Sequence, residues 1–132
     1  MPEEMEKGRV RAMFCQLNNM SSKPVRDVKV KGLKYLEKKY DTSIHFYNEH
    51  GLHGKNMPKM ENFDKWMGDG GRSKIVLAYN RHDEEYEGIH QPGGTAIRVT
   101  GVMSQYVRKK HEDFRKLGRF CSVLMWADGF DL

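Results

Sequence analysis

The stretch Val10-Arg11-Ala12-Met13-Phe14-Cys15-Gln16-Leu17-Asn18-Asn19-Met20-Ser21-Ser22-Lys23-Pro24 decides how the chain is read. Val10 to Leu17 is apolar apart from Arg11 and Gln16, and so near-continuous a run predicts an interior β-strand buried on both faces. The run stops at Asn18-Asn19, where short polar side chains bond to nearby backbone and favour a turn. Ser21 or Ser22 then offers an oxygen to the first-turn amides of a helix. Pro24 is tolerated there, since its missing N–H would have no helical partner.

Downstream, Val25, Val28, Leu33, Leu36 and Tyr40 fall near one helical face, which predicts burial of that face with the lysines projecting from the other. Asp41-Thr42 marks the exit, and Ser43 to Tyr47 is a second apolar strand ending at Asn48-Glu49-His50-Gly51. Strand, helix, strand is a βαβ-like crossover, which favours parallel neighbours. Leu52 to Arg72 reads as loop with a short helix at Asn62 to Met67. Lys74 to Asn80 and Thr95 to Val102 read as strands on either side of Asp83-Glu84-Glu85-Tyr86-Glu87 and the turn Gln91-Pro92-Gly93-Gly94, a pattern of antiparallel pairing. Met103 to Leu117 reads either as a helix closed by Gly118 or as a basic loop, and Arg119 to Trp126 as a last strand. The expected class is α/β.

At 132 residues the chain has room for one domain, given roughly 100–200 residues per domain. Its 38% hydrophobic content and mean hydropathy of −0.79 predict a lean core, while 11% aromatic residues are too many for a disordered polyelectrolyte. No stretch approaches the ~18–20 apolar residues of a membrane span. The N-terminus lacks the apolar run of a secretory signal, so the expected compartment is intracellular. Cys15 and Cys121 make no disulfide framework. Lying inside apolar strand-like runs, they are expected to be reduced, buried thiols rather than nucleophiles.

The net charge of +5 is unevenly spread. Lys23 to Lys39 sets seven basic residues against Asp27 and Glu37, and Arg108 to Arg119 sets six against Glu112 and Asp113. Two such segments suit a polyanion such as nucleic acid, and charge alone fits solvated surface equally well. The candidates for phosphate contact are Lys23, Arg26, Lys34, Lys109, Lys110 and Arg119.

Asn18 and Glu49 each stand where a strand runs out. If those strands are parallel neighbours, both residues face one cleft at the carboxyl ends, where ligands of layered α/β folds collect. An amide beside a carboxylate suits a hard cation, since Mg²⁺ often uses only one or two carboxylates plus substrate phosphate. Two turn-capping residues are the plain alternative. His45, His50 and His53 have no cysteine nearby and make a poor zinc set. Gly93-Gly94 could bring amides close to a phosphate, but reads first as a tight turn. Trp66 and Trp126 read as packing residues rather than base-stacking platforms.

Phe14-Cys15-Gln16-Leu17-Asn18-Asn19-Met20-Ser21-Ser22-Lys23, the helix after it and Ile44-His45-Phe46-Tyr47-Asn48-Glu49-His50 resemble the opening of the endonuclease/exonuclease/phosphatase family, in particular its retrotransposon-type endonuclease branch. Tyr79-Asn80-Arg81-His82-Asp83, His90-Gln91-Pro92-Gly93-Gly94-Thr95-Ala96-Ile97 and Leu117-Gly118-Arg119-Phe120-Cys121-Ser122 continue the likeness in order. The resemblance implies two sheets flanked by helices, with phosphoester cleavage assisted by Mg²⁺ or Mn²⁺. Glu49 matches the metal-binding carboxylate, and Asn18 the strand-end amide that helps orient metal and scissile phosphate.

Two departures stand beside it. Met20 replaces a residue that is often polar or acidic. The Gly-Asp-x-Asn turn, the further aspartate and the terminal Asp-His pair have no counterpart: Gly68-Asp69-Gly70-Gly71 lacks the Asn, and Arg81-His82-Asp83 has the wrong order. The expectation is therefore a tail at 1–8 and, at 9–132, the first half of a four-layer α/β/β/α sandwich with little or no turnover by itself. The other half would be supplied in cis or in trans. By resemblance the partner is nucleic acid, DNA in particular, with no membrane, and the setting is nuclear. The competing expectation is a non-catalytic basic module that binds nucleic acid or another partner.

Overall fold

The computed structural model describes residues 10–20, 22–52, 65–68, 72–79, 93–113, 118–127 and 130–131. The chain is mixed α/β. β1 (Ala12–Gln16) leads through α1 (Lys23–Tyr40) to β2 (Ile44–Asn48), then β3 (Ser73–Ala78) and β4 (Thr95–Thr100). A 3₁₀ turn (Gly101–Tyr106) follows, then β5 (Val107–Glu112), β6 (Cys121–Ala127) and the short β7 (Phe130–Asp131). One sheet has the order β1-β2-β4-β3 and the other β5-β6-β7.

The crossover through α1 makes β1 and β2 parallel, with Ala12 opposite Ile44 and Gln16 opposite Asn48. β4 pairs antiparallel with β3, as the strand, loop, strand pattern predicts, and its other edge pairs antiparallel with β2. α1 covers one face of this sheet, where Val30 and Leu33 pack with Leu17, Tyr47, Ile75, Leu77 and Ala96. The second sheet covers the other face, packing Met125 on Val76, Ile97 and Val99. The layers are thus helix, sheet, sheet. Among the described residues no helix lies on the outside of β5-β6-β7. Of the short helix expected at 62–67, residues 65–67 are helical, while 62–64 lie outside the described residues, as does the acidic stretch at 83–87.

β1 is not an interior strand. It is the sheet's edge, with Phe14 77% exposed and stacked on Phe46 at 4.7 Å. The apolar run misled because Met13 and Cys15 alone face the helix, while the second sheet centres on β3 and β4 and leaves Phe14 uncovered. β3 and β4 are the strands covered on both faces.

The helix is rotated from its expected setting. Val28 is 71% and Val25 44% exposed, and the inward residues are Arg26, Lys29, Val30, Leu33, Leu36 and Glu37. The apolar periodicity of α1 was a poor guide because its inward face carries three ionic side chains, each engaged by polar partners. Ser22 is the N-cap in extended backbone, but its hydroxyl makes no capping bond. Pro24 sits in the first turn as expected. Asp41 closes the helix in left-handed backbone (φ 51°). Of the segment read as helix or loop after Met103, the 3₁₀ turn takes the first residues and β5 takes Val107–Glu112, with a register shift between Val107 and Lys109, while 114–117 lie outside the described residues.

Candidate metal and nucleic-acid site

Backbone pairing continues beyond the last rung of the β1–β2 ladder. Leu17 N–H donates to the Asn48 carbonyl (2.8 Å), Asn19 N–H to that of Glu49 (2.9 Å) and Met20 N–H to that of His50 (2.7 Å). The two strand ends therefore leave the sheet side by side, and Asn18 and Glu49 are brought to one edge. Both have left-handed backbone, with φ of 51° and 56°. Asn tolerates that region, whereas Glu there is uncommon, and such outliers concentrate at functional sites.

Each side chain at this edge has a support. Asn18 is exposed, and its Oδ1 accepts from Gln16 Nε2 at 2.7 Å. Glu49 is half-buried, and its Oε2 accepts from the Gly93 N–H at 3.2 Å. Gly93 and Gly94 have φ of 90° and 95°, and Gly94 lies flat against the His50 ring, where a Cβ would collide. Gly93-Gly94 is thus a turn whose amide steadies a carboxylate.

His50 is fully buried. Its Nδ1 accepts from Leu52 N–H (3.0 Å) and its Nε2 donates to the Ala78 carbonyl (2.9 Å), which fixes the neutral tautomer. Burial pushes its pKa below the ordinary histidine value, outweighing the backbone carbonyls. His45 is equally buried and bonds to Thr42 Oγ1 (2.9 Å) and the Arg98 carbonyl (3.2 Å). His53 lies outside the described residues. Among those described, no group of three or more His, Cys, Asp or Glu could hold a metal.

The basic candidates divide between the two outer layers. On α1, Lys23 is exposed and pairs with Asp27 (3.0 Å), and exposed Lys34 reaches the Gly68 turn. Arg26 turns inward: its guanidinium lies 4.0 Å over the Trp66 ring and donates to the Met20 carbonyl. Lys109 and Lys110 are exposed on β5, and Arg119 is exposed before β6. The main sheet stands between these groups, so they do not form one patch. Trp126 is not a core residue: it is 41% exposed, with the Arg108 guanidinium 5.6 Å over its ring.

Cys15 and Cys121 are free and only half-buried. Burial pushes both thiols up, which disfavours the nucleophilic thiolate. The inner polar network was missed in the sequence. Arg98, fully buried in β4, donates to Glu37 of α1 and to the Tyr47 hydroxyl (3.3 Å). The available signal was a charge in the middle of Thr95-Ala96-Ile97-Arg98-Val99-Thr100, which needs a buried partner.

The chain matches no protein-family model, and no curated protein matches it.

Proposed function

We propose that Asn18 and Glu49 form the metal side of an endonuclease/exonuclease/phosphatase-like site that handles nucleic-acid phosphoesters. The supporting observation is the side-by-side exit of the parallel β1 and β2, which puts an amide and a carboxylate at one sheet edge in left-handed backbone. The donor set fits Mg²⁺ or Mn²⁺: both donors are hard oxygens, and these ions keep several waters rather than demanding a full protein cage. When bound, the cation would neutralise charge developing on phosphate oxygens. Of this chain's residues, Asn18 and Glu49 would hold it. The Gly93 N–H fixes the carboxylate's direction, and Gln16 that of the amide.

In the resemblance, water activation belongs to an Asp-His pair without counterpart among these residues, and we expect little turnover by this chain alone. Mn²⁺ binding followed by electron paramagnetic resonance tests the site. Binding that is lost in Glu49→Ala is expected, and binding indifferent to Glu49 refutes the assignment. Nicking of supercoiled DNA with Mg²⁺ tests turnover, and robust nicking by the wild type overturns the expectation of an incomplete site.

Arg108, Lys109 and the exposed Trp126 on one sheet favour a second reading, a non-catalytic module that grips single strands by charge and stacking. It predicts salt-dependent binding that ignores chelator and weakens in Lys109→Glu or Trp126→Ala.

A further inference from the structure

Lys29 belongs to the basic helix, yet its ammonium is not directed at solvent. Nζ donates to the carbonyl oxygens of Leu17 (2.5 Å), Asn18 (2.7 Å) and Asn19 (3.0 Å). An ammonium has three N–H donors, so these consecutive carbonyls use all of them. The carbonyls converge because Asn18 and Asn19 are successively left-handed, with φ of 51° and 83°. Converging backbone oxygens are cation ligands. Ca²⁺ takes many of them, whereas Mg²⁺ dehydrates reluctantly and uses few protein groups.

We propose that the Leu17–Asn19 turn is a backbone cation receptor whose resident cation is the Lys29 ammonium. By filling it, Lys29 fixes the turn that presents Asn18 and withholds its carbonyls from Ca²⁺, leaving the side-chain oxygens of Asn18 and Glu49 to Mg²⁺ or Mn²⁺. Lys29 is thus a positioning and selectivity residue. The receptor stands on the hydrogen bonds alone, while the selectivity rests on the metal reading given above.

Two measurements test the receptor. In ¹⁵N-labelled wild type, the Lys29 ammonium should show slowed proton exchange at neutral pH, and exchange as fast as that of exposed Lys31 overturns the proposal. In Lys29→Met, thermal melting in chelator should drop by roughly 4–10 °C. Millimolar Ca²⁺ or methylammonium should restore most of the loss, with no comparable effect on wild type. An unchanged melting temperature, or a loss that neither cation restores, overturns it. If Lys29→Met does not fold, the wild-type exchange measurement decides.

Competition between Ca²⁺ and Mn²⁺ tests selectivity. The ratio of affinities should move towards Ca²⁺ by about tenfold or more in Lys29→Met. An unchanged ratio overturns the selectivity role. Wild type that binds no Mn²⁺ refutes the metal reading instead, and Ca²⁺ recovery in Lys29→Met still decides the receptor.

Discussion

Arg98 of β4 and Glu37 of α1 form an ion pair that joins the central strand to the helix, with the Arg98 side chain wholly buried and that of Glu37 only 14% exposed. The Tyr47 hydroxyl donates to the same carboxylate oxygen at 3.3 Å, and His45 Nε2 lies 3.4 Å from it. Several polar groups therefore converge on Glu37. Removing it takes a carboxylate away from a buried guanidinium, which costs more than an intact pair contributes. Glu37→Ala should lose about 3–5 kcal/mol in urea unfolding. The apolar double variant Glu37→Leu/Arg98→Met should recover most of that loss, and failure to do so would show that the pair fixes helix position.

Gly93 and Gly94 make a controlled comparison. Both have positive φ, so an added Cβ strains either by about 1 kcal/mol. At Gly93 the space is open, whereas at Gly94 the Cβ would meet the His50 ring. Gly93→Ala should therefore destabilise by about 1 kcal/mol and Gly94→Ala by about 3 kcal/mol or more in chemical denaturation. Equal losses would contradict the packing of His50 on Gly94.

His50 should make stability depend on pH. Its folded pKa lies below its ordinary value of 6.5, so between those two pKa values the unfolded chain binds the extra proton. The contribution is complete above about pH 6.5 and is lost as pH falls from there through the folded pKa, with a slope of up to about 1.4 kcal/mol per pH unit. Urea melts at pH 5 to 7.5 for wild type and His50→Gln should show the steeper acid-side decline in wild type alone.

The setting of α1 can be read from alanine substitutions. Leu33→Ala removes a buried contact and should cost about 2–4 kcal/mol, whereas Val28→Ala should stay within about 0.5 kcal/mol because its side chain is exposed. Comparable losses at both positions would restore the helix face expected from apolar spacing, on which both residues lie.

Local chemistry carried much of this fold in the sequence. Pro24 and the break at Asp41-Thr42 delimit α1 to within a residue or two, and the crossover from Leu17 to Ile44 yields the parallel pair that brings Asn18 beside Glu49. These features depend on backbone preferences of neighbouring residues, so they are legible without knowing what packs on them. The candidate site was legible for the same reason, since both residues mark strand ends.

What only the tertiary structure decided concerns partners distant in sequence. Apolar content could not show that Phe14 lies beyond the reach of the second sheet, because coverage depends on where that sheet docks. Nor could charge show that Arg98, Glu37 and Lys29 are inside. A charged side chain enters a core only when a partner compensates its desolvation, and those partners are supplied by other elements: Tyr47 for both Arg98 and Glu37, and the carbonyls of Leu17, Asn18 and Asn19 for Lys29. The sequence by itself thus determined the order of elements from β1 to β4 and the two strand-end residues. The assembled layers decided which cations face solvent and which are held by the protein's own oxygens.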